Sequence, residues 1–241
     1  MRAVITGASS GFGEATARAF AKLGYSLFLG ARRIDKLKKV AKECGDAVAH
    51  PLDVRDKKSI DAFCAAAGTP DILFNNAGLA LGRDPVATLK DEDLVGMVET
   101  NVIGLLRVTR ALLPRMIEAK NGHIINLGSY AARGVYEGGA VYAATKHSVR
   151  VVSETLRLEL SGTNIRVTEM DPGMAETEFS VVRLGGDAEK AKAVYKGFQP
   201  LTAEDVADAI VWVATRPPHV NITDLVMTCT AQASLTKVHR G

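Results

Sequence analysis

The sequence has few cysteines, little net charge and no long apolar run. Its three cysteines, Cys44, Cys64 and Cys229, are odd in number and far apart, so neither a disulfide framework nor a zinc site is indicated and we expect no metal. The 30 basic and 27 acidic side chains leave a formal net charge of +3, too small to favour a nucleic-acid or membrane partner. No stretch of about 18 apolar residues predicts a transmembrane helix, and strand-like residues follow Met1 too closely for a secretory leader. We therefore expect a cytoplasmic protein.

Short apolar runs alternate with longer amphipathic segments along the whole chain. The chain of 241 residues is long enough for one full core, and 47% of its residues are hydrophobic. Strands are predicted at residues 2–6, 26–30, 47–52, 72–74, 123–127, 165–170 and 222–227. Helical patterns separate them, among them 13–23, 35–44 and 206–214, the last preceded by a capping box at Thr202 and Asp205. This alternation predicts an α/β fold, a doubly wound Rossmann-type parallel sheet with helices on both faces, in a single domain over residues 1–241.

Two segments depart from the regular alternation. Residues 174–199 contain charges, Gly185-Gly186 and no clean period, which is typical of a lid over a site, although a disordered insertion has the same pattern. The segment around residues 142–160 carries apolar residues around much of its circumference. A surface helix needs only one apolar stripe, so we expect this one to pack on the sheet and on a second subunit.

A glycine-rich stretch, Thr6-Gly7-Ala8-Ser9-Ser10-Gly11-Phe12-Gly13, joins the first predicted strand to the first helix. Glycines permit a tight turn and let backbone N–H groups at the helix start approach a pyrophosphate. The position between a strand and a helix predicts a dinucleotide site, in the variant spacing Gly-x-x-x-Gly-x-Gly.

The end of the second strand predicts which dinucleotide binds. It reads Gly30-Ala31-Arg32-Arg33, with no carboxylate before Asp35. In a dinucleotide fold this point faces the adenosine ribose, where a carboxylate favours the 2′-hydroxyl and an arginine accommodates a 2′-phosphate. The sequence therefore predicts NADP(H), with a solvated basic turn as the alternative.

Two further polar groups follow the third and fourth strands. Asp53, with Leu52 and Val54, is placed to accept from the adenine amino group, and Asn75 and Asn76, before Ala77 and Gly78, to tie strand ends together. Asn and Gly are also routine turn formers, so their position carries the prediction.

Tyr142 and Lys146 lie four residues apart, so a helix places the phenol and the ammonium on one face. A nearby cation lowers the pKa of a phenol, and Lys146 and an oxidised nicotinamide can both supply that charge. Ser129, at the end of the fifth strand, can hydrogen-bond the reacting oxygen. The pair also fits an ordinary amphipathic helix.

Together these motifs resemble the short-chain dehydrogenase/reductase family over essentially the whole chain. The likeness rests on the glycine-rich stretch, Asn75-Asn-Ala-Gly78, Asn101, Ser129, Tyr142-x-x-x-Lys146 and Asp171-Pro172-Gly173. It implies a catalytic tetrad of Asn101, Ser129, Tyr142 and Lys146, in which Asn101 could hold a water leading to Lys146. With the residues above, the predicted coenzyme site comprises Gly7, Ser9, Ser10, Gly11, Phe12, Gly13, Arg32, Arg33, Asp53, Val54, Asn76, Ala77, Gly78, Tyr142, Lys146, Pro172, Gly173 and Thr177.

Residues 76–82, 177–183 and 218–222 are similar to the NADP-dependent 3-hydroxy acid dehydrogenases, which include serine and L-allo-threonine dehydrogenases and malonic semialdehyde reductases. The loop after Gly173 is about a residue shorter than in that group, and the tail from Cys229 differs. The resemblance implies a small 3-hydroxy acid as substrate and a homotetramer. A buried substrate carboxylate needs a cation, for which Arg183 is the first candidate and Arg133 the second, and the predicted substrate site is Ser129, Tyr136, Tyr142 and Arg183.

Three other functions remain open from the sequence. One is a short-chain reductase of neutral ketones or aldehydes. A second is an NADP(H)-sensing binding protein, although such sensors usually lack the Tyr and Lys that are present here. A third is a coenzyme-free dehalogenase-like lyase, whose resemblance fails at the intact glycine loop and at Lys146.

Overall fold

The computed structural model describes residues 1–45 and 47–241, and within them seven parallel strands form one sheet in the order β3-β2-β1-β4-β5-β6-β7. The strands are β1 (Arg2–Thr6), β2 (Ser26–Ala31), β3 (Ala47–Pro51), β4 (Ile72–Asn75), β5 (Gly122–Leu127), β6 (Ile165–Pro172) and β7 (Asp224–Met227). Every neighbouring pair is parallel. The predicted doubly wound Rossmann-type sheet is therefore confirmed.

Helices connect successive strands on both faces of the sheet. They are α1 (Gly11–Lys22), α2 (Ile34–Glu43), α3 (Lys57–Ala67), α4 (Asp91–Val98), α5 (Leu105–Ala119), α6 (Ala140–Glu159), α7 (Glu178–Arg183), α8 (Ala188–Ala193) and α9 (Ala203–Ala214). Single turns of 3-10 helix occupy Val86–Thr88 and Tyr130–Ala132, and a π-helical segment, Glu99–Gly104, lies between α4 and α5. The predicted capping box of α9 is present, with Thr202 and Asp205 each binding the other's backbone.

The hydrophobic core has two layers, one on each face of the sheet. Because successive side chains of a strand point to opposite faces, Ile5 packs in one layer and its neighbour Val4 in the other. Helices α1, α2 and α9 cover the first layer, and α3, α5 and α6 the second. Both faces are therefore apolar, which is why the strands read as continuous apolar runs rather than as alternating ones.

The chain reverses direction across the sheet between β1 and β4. From β1 the chain adds β2 and β3 on one side, and from β4 it adds β5, β6 and β7 on the other. The loops after β1 and β4 thus leave the sheet in opposite directions and open a crevice at its carboxyl edge. Ligands of open α/β sheets bind at such a crevice.

The irregular segment 174–199 contains two short helices, α7 and α8, rather than a plain loop. The three cysteines are free, buried thiols. Among the described residues, no helix is both long enough and apolar enough to cross a membrane.

Candidate active site

A cavity of about 580 Å³ lies at the carboxyl edge of the sheet, at the crevice between β1 and β4. Its volume is within the range of small-molecule and cofactor sites. All predicted site residues except Gly13 and Asn101 line it: Gly7, Ser9, Ser10, Gly11, Phe12, Arg32, Arg33, Asp53, Val54, Asn76, Ala77, Gly78, Ser129, Tyr136, Tyr142, Lys146, Pro172, Gly173, Thr177 and Arg183. Residues that lie up to 176 positions apart in the chain thus meet in one cavity.

The glycine-rich turn forms one end of the cavity. Gly7 and Gly11 have φ angles of 68° and 55°, a region that a side chain disfavours. In the described structure the Ser10 hydroxyl makes no cap to α1 and instead accepts from Arg33 Nη2 at 2.6 Å. The N–H groups in the first turn of α1 are therefore available to bind an anion such as the pyrophosphate of a dinucleotide.

Asn75 and Asn76 tie strand ends together, as predicted. Asn76 Nδ2 donates to the carbonyl oxygens of Thr6 at 2.9 Å and Gly7 at 3.1 Å, which fixes the glycine-rich turn against β4. Asn75 Nδ2 donates to Asn126 Oδ1 at 2.9 Å and so links β4 to β5. Gly13 lies beneath the turn, where an added Cβ would stand 2.5 Å from Asn76 Nδ2, so its role is close packing.

Tyr142 and Lys146 occupy successive turns of α6 on the face that closes the other end of the cavity. Their exposed fractions are 9% and 4%, and Lys146 Nζ lies 5.9 Å from the centroid of the Tyr142 ring. Lys146 Nζ also donates to the Leu127 carbonyl oxygen at 2.7 Å, which fixes it below the end of β5. Ser129 follows that strand at the start of a 3-10 turn, where its hydroxyl accepts from the Ala131 amide at 3.1 Å.

Burial shifts the pKa of each group in the direction that favours its neutral form, upward for Tyr142 and downward for Lys146. Removal from water raises the pKa of Tyr142 to about 12, against a smaller lowering by the hydrogen bond with Ser129. Desolvation likewise lowers the pKa of Lys146 to about 8. A lowered pKa of Tyr142 was predicted for Lys146 acting together with an oxidised nicotinamide, and that combined effect stays a prediction. In the chain alone, the Lys146 ammonium is directed at the Leu127 carbonyl, and the cost of burying a charged phenolate is the largest effect on the pKa of Tyr142.

Asn101 lies in the π-helical segment behind the cavity, and both polar atoms of its side chain bind protein groups. Its Nδ2 donates to the Leu79 carbonyl oxygen at 2.8 Å and to Thr145 Oγ1 at 3.0 Å, and its Oδ1 accepts from the Leu79 amide at 2.8 Å. The side chain thus fastens the loop after β4 to α6. The role of Asn101 in holding a water that leads to Lys146 stays a prediction. Protein groups already bind the side-chain amide, which does not favour that role.

The end of the cavity near α6 brings together Arg183, Tyr136 and Tyr142, three of the residues predicted for the substrate site. Arg183 Nη2 donates to the Tyr136 hydroxyl at 2.9 Å, and Nε donates to the Gly82 carbonyl oxygen at 3.1 Å. The guanidinium carbon is 5.6 Å from the centroid of the Tyr142 ring. A cation therefore stands within reach of a carboxylate placed next to the Tyr142 phenol.

Of the cavity residues that were not predicted from the sequence, four bear on the region around Tyr142 and the loop after Gly173. Arg83 lies 5.8 Å from the centroid of the Tyr136 ring, and the Phe179 ring lies 5.6 Å from that of Tyr142. The other two are Gln232, whose Oε1 accepts from the Met174 amide at 2.8 Å, and Leu235, which packs among the aromatic side chains of the cavity. The sequence signal for Phe179 as a site residue is its position two residues after Thr177. Arg83 and the two tail residues carry no local motif.

Arg133, the second candidate for the substrate carboxylate, instead binds carboxylates of the chain and is absent from the cavity lining. It contacts Asp171 at 2.7 Å, Asp224 at 3.0 Å and Glu169 at 3.4 Å. Asp171 in turn accepts from the Ser129 amide at 2.8 Å. This arginine is therefore engaged behind Ser129 and is unsuited to the anchoring role.

Within this cluster, Glu169 makes stability depend on pH. Burial, and then the neighbouring Asp171, raise the pKa of Glu169 well above its ordinary value of 4.5. Above the unfolded-state pKa of about 4.5, the folded chain keeps a proton that the unfolded chain releases, so stability falls as pH rises until the raised folded-state pKa is passed. Glu169→Gln keeps the shape and a hydrogen-bond donor without an ionisable proton. Relative to the wild type, we expect Glu169→Gln to have nearly the same melting temperature at pH 4.5 and a melting temperature several degrees higher at pH 8.5.

Thermal melting of the wild type, Glu169→Gln and the exposed control Glu159→Gln at both pH values checks this expectation. An equal drop in melting temperature between pH 4.5 and pH 8.5 in all three proteins contradicts it.

Comparison with known proteins gives the family. The profile of the family described as "short chain dehydrogenase" matches residues 1–184. The chain is 44% identical over 247 aligned positions to the NADP-dependent 3-hydroxy acid dehydrogenase YdfG of Escherichia coli (strain K12), covering 100% of both chains. It is 46% identical over 229 positions to the serine 3-dehydrogenase of Rhizobium radiobacter, covering 92% of this chain and 91% of the relative.

Solved structures give the same result. The closed form of a serine dehydrogenase complexed with NADP+ superimposes with a TM-score of 0.95 at 44% identity, covering 100% of both chains. The serine dehydrogenase of Escherichia coli superimposes with a TM-score of 0.85 at 39% identity, covering 97% of this chain and 100% of the other. The chain belongs to the short-chain dehydrogenase/reductase family.

Proposed function

We propose that the protein is an NADP-dependent oxidoreductase that interconverts a small 3-hydroxy acid and its 3-oxo form. The observation that carries the proposal is one cavity with a dinucleotide turn and Arg33 at one end and Ser129, Tyr142 and Arg183 at the other. The names of the relatives, an NADP-dependent 3-hydroxy acid dehydrogenase and serine 3-dehydrogenases, support the same reaction and coenzyme.

Different residues of the chain bind different parts of the coenzyme. The first turn of α1 and the glycines before it hold the pyrophosphate, Arg32 and Arg33 the 2′-phosphate, and Asp53 and Val54 the adenine side. Asn76 to Gly78, Pro172, Gly173 and Thr177 lie farther along the cavity, toward Tyr142. When bound, the coenzyme supplies or accepts a hydride.

Tyr142 exchanges the proton. With a pKa raised to about 12, its phenol is protonated at neutral pH and ready to donate to the oxygen of a carbonyl substrate. Ser129 stabilises the charge that develops on that oxygen. Lys146, buried one turn along α6, provides positive charge near the ring when an alcohol must be deprotonated in the reverse direction.

Arg183 orients the substrate. A 3-hydroxy acid carries its carboxylate two carbons from the reacting carbon, so the carboxylate and the reacting oxygen lie only a few ångströms apart. The Arg183 guanidinium carbon lies 5.6 Å from the centroid of the Tyr142 ring, on the α7 side, which supports this role. A guanidinium binds a carboxylate through two parallel hydrogen bonds and so fixes its orientation.

We also propose that residues 174–199 are the substrate lid within a single domain. Thr177 begins α7 directly over the glycine-rich turn, with its Cβ 3.6 Å from where a Cβ on Gly11 would lie. The same segment carries Phe179 and Arg183 into the cavity. A lid that touches both ends of the site can exclude water from it.

A homotetramer and a cytoplasmic location are further parts of this proposal. The two-sided helix α6 leaves Val151 and Leu158 exposed, at 59% and 80%. An apolar groove lined by Leu94, Val98 and Val141 lies between α4 and the start of α6. Apolar surface of this kind supports packing against further copies of the chain.

Coenzyme preference tests the proposal. We expect kcat/KM with NADPH to exceed that with NADH by about tenfold to a hundredfold, because hydrogen bonds to charged groups contribute about 1.5–3 kcal/mol each. Steady-state rates of reduction of a 3-oxo acid with each coenzyme measure the ratio. Equal values for the two coenzymes contradict the assignment.

A further inference from the structure

Glu178, the first residue of α7, lies beside the arginine that the 2′-phosphate needs. Its Oε2 is 2.7 Å from Arg33 Nη1, and its Oε1 accepts from Lys36 Nζ at 2.8 Å. Arg33 Nη2 also donates to the Ser10 hydroxyl at 2.6 Å. A carboxylate of the lid thus joins the glycine-rich turn and the start of α2 at the rim of the cavity.

The groups around this carboxylate are those that bind phosphate. A guanidinium, an ammonium and a hydroxyl at the start of a helix form a donor set that suits any compact oxyanion. The guanidinium and the ammonium each carry several N–H bonds, but both direct one of them at Glu178. A phosphate on the adenosine ribose needs the same donors.

Glu178 is a permanent anion at this place. Its hydrogen bond with Lys36, followed by that with Arg33, lowers the pKa of Glu178 to about 2. The carboxylate therefore remains charged at neutral pH and repels a phosphate that approaches Arg33.

We propose that Glu178 is an internal competitor for the 2′-phosphate site, so that its carboxylate weakens the binding of NADP(H) and reduces the preference for NADP(H) over NAD(H). This inference rests on the proposed use of NADP(H). The phosphate competes with Glu178 for Arg33, so its binding disrupts the ion pairs that fasten the first turn of α7 to α2. NAD(H) carries no phosphate at this position and leaves those pairs intact.

The size of the effect follows from the exposure of the partners. Side-chain exposures of 44% for Glu178, 45% for Arg33 and 52% for Lys36 place the pairs in contact with solvent, where screening reduces each interaction. Loss of the competing charge is therefore expected to tighten phosphate binding by about threefold to tenfold at low salt, and by less as salt rises.

Equilibrium binding of coenzyme fragments tests the inference without turnover. Isothermal titration of the full-length wild type, Glu178→Gln and Glu176→Gln with NADP+, NAD+, adenosine 2′-monophosphate and adenosine 5′-monophosphate gives the dissociation constants. Glu176 is an exposed carboxylate two residues away in the same segment and serves as the matched control. Thermal melting of each variant establishes that it is folded.

The expected result is tighter binding of NADP+ and adenosine 2′-monophosphate by Glu178→Gln alone, with NAD+ and adenosine 5′-monophosphate unchanged. Unchanged or weaker binding of the two 2′-phosphorylated ligands overturns the inference, as does equal tightening of all four. If the wild type itself shows no preference for NADP+ over NAD+, the coenzyme assignment fails, and the inference fails with it. A wild type that prefers NADP+ while Glu178→Gln has no effect overturns the inference alone.

Discussion

Replacing Tyr142 with phenylalanine is expected to lower kcat by at least about a hundredfold, in line with the roughly 10²–10⁴ contributed by a positioned acid or base. The substitution removes only the hydroxyl that exchanges the proton. The ring that remains can still pack against Phe179, whose centroid is 5.6 Å away. We therefore expect the dissociation constant for NADPH to change by less than about twofold, since proton exchange rather than binding is lost.

Single-turnover and steady-state rates with NADPH, together with NADPH titration, separate these two quantities. Tyr130→Phe is the matched control, because Tyr130 lines the same cavity one residue after Ser129 and has no proposed role in proton exchange. More than a few per cent of wild-type turnover in Tyr142→Phe contradicts the assignment of Tyr142 as the acid and base.

Replacing Arg183 with alanine is expected to reduce kcat/KM for acidic substrates by about tenfold to a hundredfold, the effect of losing a charge-assisted hydrogen bond worth about 1.5–3 kcal/mol. A neutral aldehyde of similar size has no carboxylate to orient, so its kcat/KM is expected to fall much less. The measurement is the ratio of the two kcat/KM values in the wild type and in the variant.

Arg83→Ala is the control for that measurement. Arg83 and Arg183 face the same Tyr136 ring, at 5.8 Å and 5.5 Å from its centroid, but only Arg183 also reaches Tyr142. We expect Arg83→Ala to keep the preference for acidic substrates. Equal losses for acidic and neutral substrates in Arg183→Ala contradict the anchoring role, and a selective loss in Arg83→Ala alone assigns it to Arg83 instead.

Local patterns predicted the sheet and most of the site because each depends on neighbours in the chain. The glycine-rich turn is specified by Gly7 and Gly11, whose φ angles few other residues adopt, and it must follow a strand. Tyr142 and Lys146 are placed by the period of one helix. Strand boundaries were less accurate: β6 was predicted to end at Met170 and continues to Pro172, because β7 pairs with those last residues.

Contacts between distant segments could not be predicted in the same way. Arg133 looked available in the sequence, yet the fold places it against Glu169, Asp171 and Asp224, which lie 36 to 91 positions away. Gln232 reaches the cavity because the chain after β7 turns back over it. Such contacts depend on the packed arrangement of several elements, and no residue pattern within one segment encodes them.

The pKa of Tyr142 likewise could not be predicted from local sequence patterns. From the sequence, the nearby lysine predicts a lowered value, and the charge is indeed close. Burial could not be judged from spacing alone, and in the folded chain it is the largest influence and raises the pKa of Tyr142 to about 12. The chain therefore presents a protonated tyrosine, which suits the reduction of a carbonyl.

The rate of NADP+ reduction by the wild-type protein, measured with a panel of alcohols, tests the central claim most directly. The panel comprises serine, allo-threonine, 3-hydroxyisobutyrate, 3-hydroxypropionate and a neutral secondary alcohol. We predict turnover of one or more of the hydroxy acids, with a kcat/KM at least about tenfold above that of the neutral alcohol, since only the acids can pair with Arg183. A higher kcat/KM for the neutral alcohol, or binding of NADP+ without turnover of any member of the panel, would contradict the claim.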